Sequence, residues 1–100
     1  MSNALVKVVA LLATTGSPRF AVTIIEDDSE TRHETTLRET DLQRFGKGAS
    51  AEALVTAAFR FLLDREPKEA ILARFDISVI ARYFPEFDQE IGRYLSAHAR

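Results

Sequence analysis

Cysteine is absent from all 100 residues of the chain. Its absence excludes disulfide bonds, thiolate nucleophiles and metal sites with cysteine ligands, such as iron–sulfur clusters. The chain has two histidines, His33 and His98, and no HxxxH or HxH spacing that would place two imidazoles around one metal ion. The sequence therefore predicts neither a metal nor a cofactor.

Long apolar runs and an excess of basic charge are also absent. The longest apolar run, residues 8–13, is far shorter than the roughly 20 residues that a transmembrane helix needs. Against 13 lysines and arginines stand 15 aspartates and glutamates, so the chain lacks the positive charge on which nonspecific binding to nucleic acid depends. We expect a cytoplasmic protein with no membrane contact, and the charge balance argues against a nucleic-acid partner.

The composition is typical of a globular domain, with 46% hydrophobic and 28% charged residues. A chain of this length forms a single hydrophobic core. We therefore predict one domain over residues 1–100, with a β-meander at residues 4–38 and a helical half at residues 40–98.

Three strands are predicted in the N-terminal third. Residues 4–13 contain three valines, which favour a strand, although their leucines and alanines leave a short helix open. Residues 19–26 place β-branched side chains on both faces, and residues 30–37 return as a more polar strand. The charged outward side chains of this third strand are typical of a sheet edge that resists further pairing. Its inward face is predicted to consist of Thr31, His33, Thr35 and Leu37.

Two helix starts are visible in the middle of the chain. Thr40 and Gln43 have the spacing of a capping box, and Gly46 is placed to end that short helix in a left-handed conformation. Ser50 is a second N-cap, for a longer helix that continues to about residue 65. A broad apolar stripe on this helix predicts packing against the sheet and against other helices.

Pro67 and Pro85 are predicted to divide the C-terminal half into short helices, because proline lacks the amide hydrogen that a helix interior needs. The predicted helices span residues 68–75, 77–84 and 86–97. Asp76 is expected to cap the second of them. The pattern predicts an α+β fold, in which a three-stranded antiparallel β-meander is followed by four to five helices packed on one face of the sheet.

The sequence offers little catalytic chemistry. His33 lies within a predicted strand and His98 lies close to the last residue, so neither forms an evident triad with a nucleophile. Asp64 and Glu66 could act as acid and base if their environments separated their pKa values. A small hydrolase-type enzyme would need these carboxylates to converge with Tyr83 or His33. We predict no catalytic residue.

Five side chains of the helical half are the candidate binding residues. They are Arg65, Glu66, Lys68, Arg74 and Arg82. The first three flank Pro67, where an arginine held between two helices could bind the carboxylate of a partner. Arg74 and Arg82 would lie on candidate recognition helices of a helix-turn-helix unit that binds DNA. Acidic neighbours argue against that alternative, since Asp76 and Glu86 are placed to pair with these two arginines.

A resemblance to the C-terminal half of small prokaryotic proteins of unknown function is carried by the segment LLDREPKEAILARFDISVIARYFPEF. The resemblance extends over residues 50–91, and its most distinctive parts are REPKEAIL and FDISVIARYFPEF. It implies a small domain that stands alone, and it implies no activity, substrate or cofactor.

The prediction from these observations is a non-enzymatic protein-interaction or regulatory module. Its expected partner is another protein or a second copy of the same chain, because the first predicted strand is apolar on both faces and one helical layer covers only one of them. Two alternatives remain open. One is a nucleic-acid-binding module that uses Arg74 and Arg82, and the other is a small hydrolase-type enzyme with a carboxylate and tyrosine site.

Overall fold

The computed structural model describes residues 4–11 and 16–98, with the backbone alone for residues 97 and 98. The strands in this part of the chain are β1 (Leu5–Leu11), β2 (Arg19–Glu26), β3 (Ser29–Thr36) and β4 (Arg74–Asp76). The helices are α1 (Glu39–Asp41, which continues as a π-helical turn at Leu42–Gly46), α2 (Ala51–Leu63), α3 (Ser78–Tyr83) and α4 (Phe87–His98), and a 3-10 turn spans Lys68–Ala70. The predicted α+β class is confirmed.

The four strands form one mixed sheet in the order β1-β2-β3-β4. The first three are antiparallel and make the predicted meander, and residues 5–11 are a strand rather than a helix. The predicted strand residues 12 and 13 lie outside the described part of the chain. A fourth strand, which the sequence did not predict, pairs in parallel with β3.

The fourth strand replaces part of the helix that was predicted at residues 68–75. The amide of Glu34 donates to the carbonyl oxygen of Ala73 at 2.7 Å, and the amide of Ile77 donates to the carbonyl oxygen of Thr36 at 3.0 Å. An isolated helix of about two turns is marginal in water, whereas the open edge of β3 supplies ready hydrogen-bond partners. The prediction that β3 is an edge strand is therefore wrong for Glu34, Thr35 and Thr36, which pair with β4.

The core lies between one face of the sheet and the helices. Phe20, Val22 and Ile24 of β2 are buried there, and so are three of the four predicted inward residues around β3, namely His33, Thr35 and Leu37. Helix α2 packs against both β1 and α4 and buries most of its side chains. The opposite face of the sheet is open, since Leu5 and Val9 of β1 are exposed.

The helix ends follow the sequence prediction at α2 and depart from it at α1. The Ser50 hydroxyl accepts a hydrogen bond from the Ala53 amide at 3.1 Å, as predicted for an N-cap. Helix α1 begins at Glu39 instead, so the capping box of Thr40 and Gln43 does not form. The side-chain amide of Gln43 donates to the Glu39 carboxylate at 3.3 Å.

The left-handed residues after α1 are Lys47 and Gly48, with φ angles of 48° and 97°, and not Gly46. The π-helical turn is one residue wider than an α-helical turn, which moves the helix end one residue along the chain. Gly46 is buried, and a Cβ atom there would lie 3.0 Å from a methyl group of Leu42. A larger residue at this position would require the Leu42 side chain to shift.

Both proline breaks are confirmed. Helix α2 ends at Leu63, before Pro67, while α3 ends at Tyr83 and α4 begins at Phe87, on either side of Pro85. These breaks let α4 fold back along α2, where its aromatic side chains meet the ring of Phe61.

Candidate functional site

An apolar cleft lies where the end of α2, the 3-10 turn, β4 and α3 meet. Its volume is about 380 Å³, which is in the lower part of the range of about 300–1,000 Å³ seen for ligand pockets. The lining residues are Leu62, Glu66, Ala70, Ile71, Leu72, Phe75, Val79, Ile80, Tyr83 and Phe84. Eight of these ten are apolar, so the cleft favours an apolar ligand or side chain.

Two large side chains on the lining of the cleft are exposed to solvent. Leu72 is 51% exposed and Tyr83 is 69% exposed. In the part of the chain that the structure describes, only Leu5 and Val9 of β1 are comparable. Single exposed apolar residues are ordinary on protein surfaces, but exposed apolar residues grouped around a cavity indicate an interaction site.

The walls of the cleft are fixed by hydrogen bonds from the sheet. His33 Nδ1 donates to the carbonyl oxygen of Leu72 at 2.8 Å, and the Thr36 hydroxyl donates to the Asp76 carboxylate at 2.8 Å. The Asp76 carboxylate in turn accepts from the Ser78 amide at the start of α3 at 2.9 Å. Residues 71–78 are therefore held in place against β3, and the cleft is preformed.

Glu66 is the one charged residue in the lining. Its carboxylate forms no hydrogen bond or ion pair with any other residue that the structure describes. Partial burial raises the pKa of the Glu66 carboxyl above its ordinary value, because an apolar environment disfavours the charged form. The cleft therefore has a mainly apolar lining and one carboxylate that no cation in the described residues neutralises.

Glu66→Gln is expected to raise the melting temperature at pH 7. Since the folded pKa of Glu66 lies above its unfolded value, ionisation destabilises the fold. This cost is absent below the unfolded pKa, grows as the pH rises through it, and is full above the folded pKa. The gain should therefore vanish at about pH 3.5, where the carboxyl is protonated in both states. Thermal unfolding followed by circular dichroism at the two pH values measures this.

Glu69→Gln is the matched control for that experiment. The hydrogen bond from Lys68 lowers the pKa of Glu69, so its replacement should lower the melting temperature at pH 7, the opposite sign. Equal shifts from both variants would mean that a general charge effect, and not the position of Glu66, determines stability.

Arg65 and Lys68, which flank Pro67 together with Glu66, contact different elements of the fold. The Arg65 guanidinium stacks 3.6 Å above the ring of Phe61 and pairs with Glu86 at 3.0 Å and Glu90 at 3.6 Å. It therefore ties α2 to α4 and is already paired.

Lys68 is buried, and its ammonium group lies 2.7 Å from Glu69 and 3.6 Å from Glu26 at the end of β2. It links the 3-10 turn to the sheet. Of the three residues around Pro67, Glu66 alone reaches the cleft.

Arg74 and Arg82 are exposed and form no ion pair with any residue in the described ranges 4–11 and 16–98. The pairs that the sequence suggested are wrong, because Asp76 lies 3.9 Å from Arg38 and Glu86 pairs with Arg65. Arg74 lies on β4 rather than on a helix. The first of the two candidate recognition helices is therefore absent, and the second, α3, has six residues.

The residues of the possible enzyme site converge only in part. Glu66 and Tyr83 line the same cleft. Asp64 instead accepts a hydrogen bond from the Tyr94 hydroxyl at 2.6 Å, and His33 is bonded to the backbone of Leu72. No group of three His, Asp or Glu side chains in the described part of the chain is arranged to hold a metal ion.

The exposed rim of the cleft is what sequence reasoning missed. Leu72 lies within the helix that was predicted at residues 68–75. It is 51% exposed because the chain there leaves the 3-10 turn at Ala70 and becomes strand β4 at Arg74. The available signal was the density of apolar residues between residues 71 and 84.

No protein-family model matches the chain, and no curated protein or solved structure is detectably similar to it. None of the helices in the described residues is long and apolar enough to cross a membrane.

Proposed function

We propose that this protein is a cytoplasmic, non-enzymatic interaction module whose cleft binds a segment of a partner protein. The segment places a large apolar side chain in the cleft and a neighbouring lysine or arginine beside Glu66. The observation that carries the proposal is a preformed apolar cavity of about 380 Å³ that is bordered by exposed Leu72 and Tyr83 and contains one unpaired carboxylate.

The lining supports a protein segment better than a small polar metabolite. Metabolite sites use several convergent polar groups to fix the orientation of the ligand, and this cleft has a single carboxylate and a single phenol. Protein interfaces depend instead on a few aromatic and aliphatic anchors that fill pockets, with tyrosine enriched among them. Tyr83 and Leu72 supply such anchors at the entrance.

The charge of the cleft supports a basic partner. An ion pair between Glu66 and a partner cation would form in a partly dehydrated site, where charge-assisted hydrogen bonds are strongest. A phosphate group would instead be repelled there, which disfavours nucleic acid as the occupant.

Peptide selection tests the proposal directly. Peptides of about 12 residues, selected from a random displayed library on the wild-type protein, are expected to share a large apolar residue next to lysine or arginine. A synthetic consensus peptide should lose affinity by about tenfold when its basic residue is replaced by glutamate. A selection that yields no shared pattern would contradict the proposal.

Variants of the cleft give the sharper result. Ala70 is an exposed lining residue, so Ala70→Trp should fill the cavity and weaken consensus peptide binding by more than about tenfold without loss of fold. Ala73 is exposed, lies three residues away and does not line the cleft, so Ala73→Trp is the matched control and should bind as the wild type does. Glu66→Gln should weaken binding while it stabilises the protein. Equal affinities for the two tryptophan variants would place the binding site elsewhere.

The alternative of nucleic-acid binding rests on the exposed, unpaired Arg74 and Arg82. It would require affinity for a duplex oligonucleotide that falls steeply with salt and falls further in the double variant Arg74→Ala, Arg82→Ala. A fluorescence titration with a labelled duplex decides this, because the peptide proposal expects no binding to the duplex at low salt.

A further inference from the structure

β1 is the long free edge of the sheet. It pairs with β2 on one side, and within the described residues it has no strand on the other. At the far end of the sheet, β4 covers part of β3 and is itself three residues long. The seven residues of β1 therefore form the principal edge through which this sheet could be extended.

The register between β1 and β2 shows which backbone amide and carbonyl groups of β1 point away from the sheet. The Leu37 amide donates to the carbonyl oxygen of Pro18, just before β2, so even-numbered residues of β2 point their peptide groups toward β3. Odd-numbered residues of β2 point toward β1, where each is paired with another odd-numbered residue, as Ala21 is with Val9. The even-numbered residues Val6, Val8 and Ala10 consequently direct their amide and carbonyl groups outward.

β1 has few of the usual protections of an edge strand. Just before it, the Arg60 guanidinium donates to the carbonyl oxygen of Ala4 at 2.6 Å. Its pairing with β2 runs through seven consecutive residues without a bulge, it contains no proline, and its single charged residue is Lys7. On its outer face Leu5 is 51% exposed and Val9 is 60% exposed. β3, by contrast, carries charged residues on the same face.

We propose that β1 pairs with β1 of a second copy of this chain, antiparallel and centred on Val8, so that two sheets join into one of eight strands. An antiparallel strand pair is two-fold symmetric, so a strand with free peptide groups on one side is complementary to its own copy. Centring on Val8 pairs Val6 of each copy with Ala10 of the other and uses the outward groups of all three residues. It also places Lys7 opposite Val9 of the second copy, which keeps the two lysines from facing each other.

The interface is independent of the proposed peptide cleft. The cleft lies beside β4 and α3, at the opposite end of the sheet order from β1. A dimer would therefore carry two accessible clefts and bind a bivalent partner with increased avidity. Failure of either proposal leaves the other unaffected.

Charge placed at Val9 tests both the dimer and its register. Val9→Lys puts like charges opposite Lys7 at two symmetric positions and should raise the dimer dissociation constant by about tenfold or more. Val9→Glu puts opposite charges there and should leave dimerisation unchanged or stronger, although both variants remove the same apolar side chain. The double variant Lys7→Glu, Val9→Lys should restore the wild-type constant.

Sedimentation velocity over a concentration range up to about 200 µM measures these constants, and circular dichroism checks that each variant folds. Wild-type protein that stays monomeric throughout this range would overturn the proposal. Equal weakening by Val9→Lys and Val9→Glu would also overturn it, since that result indicates contact between apolar sheet faces and not pairing of strand edges.

Discussion

Replacing Phe61 with alanine is expected to lower the free energy of unfolding by about 3–5 kcal/mol. Phe61 is fully buried, and its ring meets the rings of Phe84, Phe87 and Tyr94 at centroid distances of 5.9, 5.0 and 5.7 Å. The Arg65 guanidinium lies 3.6 Å from the centre of the same ring. Alanine would leave a cavity at the point where α2 meets α4, and urea denaturation followed by circular dichroism measures the loss.

The loss should be a large share of the total, because domains of this size are stable by only about 5–15 kcal/mol. Phe61→Leu is the control, since it keeps most of the side-chain volume and should cost less than about 1.5 kcal/mol. A loss below about 1 kcal/mol for Phe61→Ala would mean that contacts elsewhere hold α4 in place.

The elements that the sequence predicts well are those with a local cause. β2 and β3 follow from alternation and from β-branched residues. Helix α2 follows from the Ser50 cap and an apolar stripe, and the breaks before α3 and α4 follow from two prolines. In each case the physical reason lies within a few residues of the element.

β4 could not be predicted in this way. Arg74, Phe75 and Asp76 are too few to show an alternation, and the spacing of Ile71, Leu72 and Phe75 suits one face of a helix equally well. The extended conformation is decided by hydrogen bonds to β3, about 40 residues earlier in the chain. A contact between residues so far apart in the chain cannot be read from the hydrophobic pattern around residue 75.

The candidate site was predicted only in part from the sequence, for the same reason. Glu66 was named because it flanks Pro67, but its isolation from any cation in the described part of the chain is a property of the fold. Arg65 was named with it, although its guanidinium group is already paired with Glu86, just before α4, and with Glu90 on α4. Charge pairing across helices depends on how they are packed, which the spacing along the chain does not encode.

Asp76→Ala is expected to lower the free energy of unfolding by about 2 kcal/mol. The Asp76 carboxylate accepts from the Ser78 amide at 2.9 Å, from the Ser78 hydroxyl at 2.8 Å and from the Thr36 hydroxyl at 2.8 Å. It thereby joins β3 to the start of α3, and its loss leaves these donors without their acceptor. Asp28→Ala, in the exposed turn between β2 and β3, is the control and should change stability by less than about 0.5 kcal/mol.

The effect of Asp76→Ala should also depend on pH. Burial alone would raise the pKa of Asp76, but hydrogen bonds from Ser78 and Thr36 and the charge of Arg38 outweigh it and hold the pKa below its ordinary value. A carboxyl with a lowered folded pKa stabilises the fold above its unfolded pKa, and this contribution is lost as the pH falls through the folded pKa. The difference between wild type and Asp76→Ala should therefore be full at pH 7 and shrink below about pH 4. A difference that stays constant down to pH 2 would show that the lost contacts are not those of the ionised carboxylate.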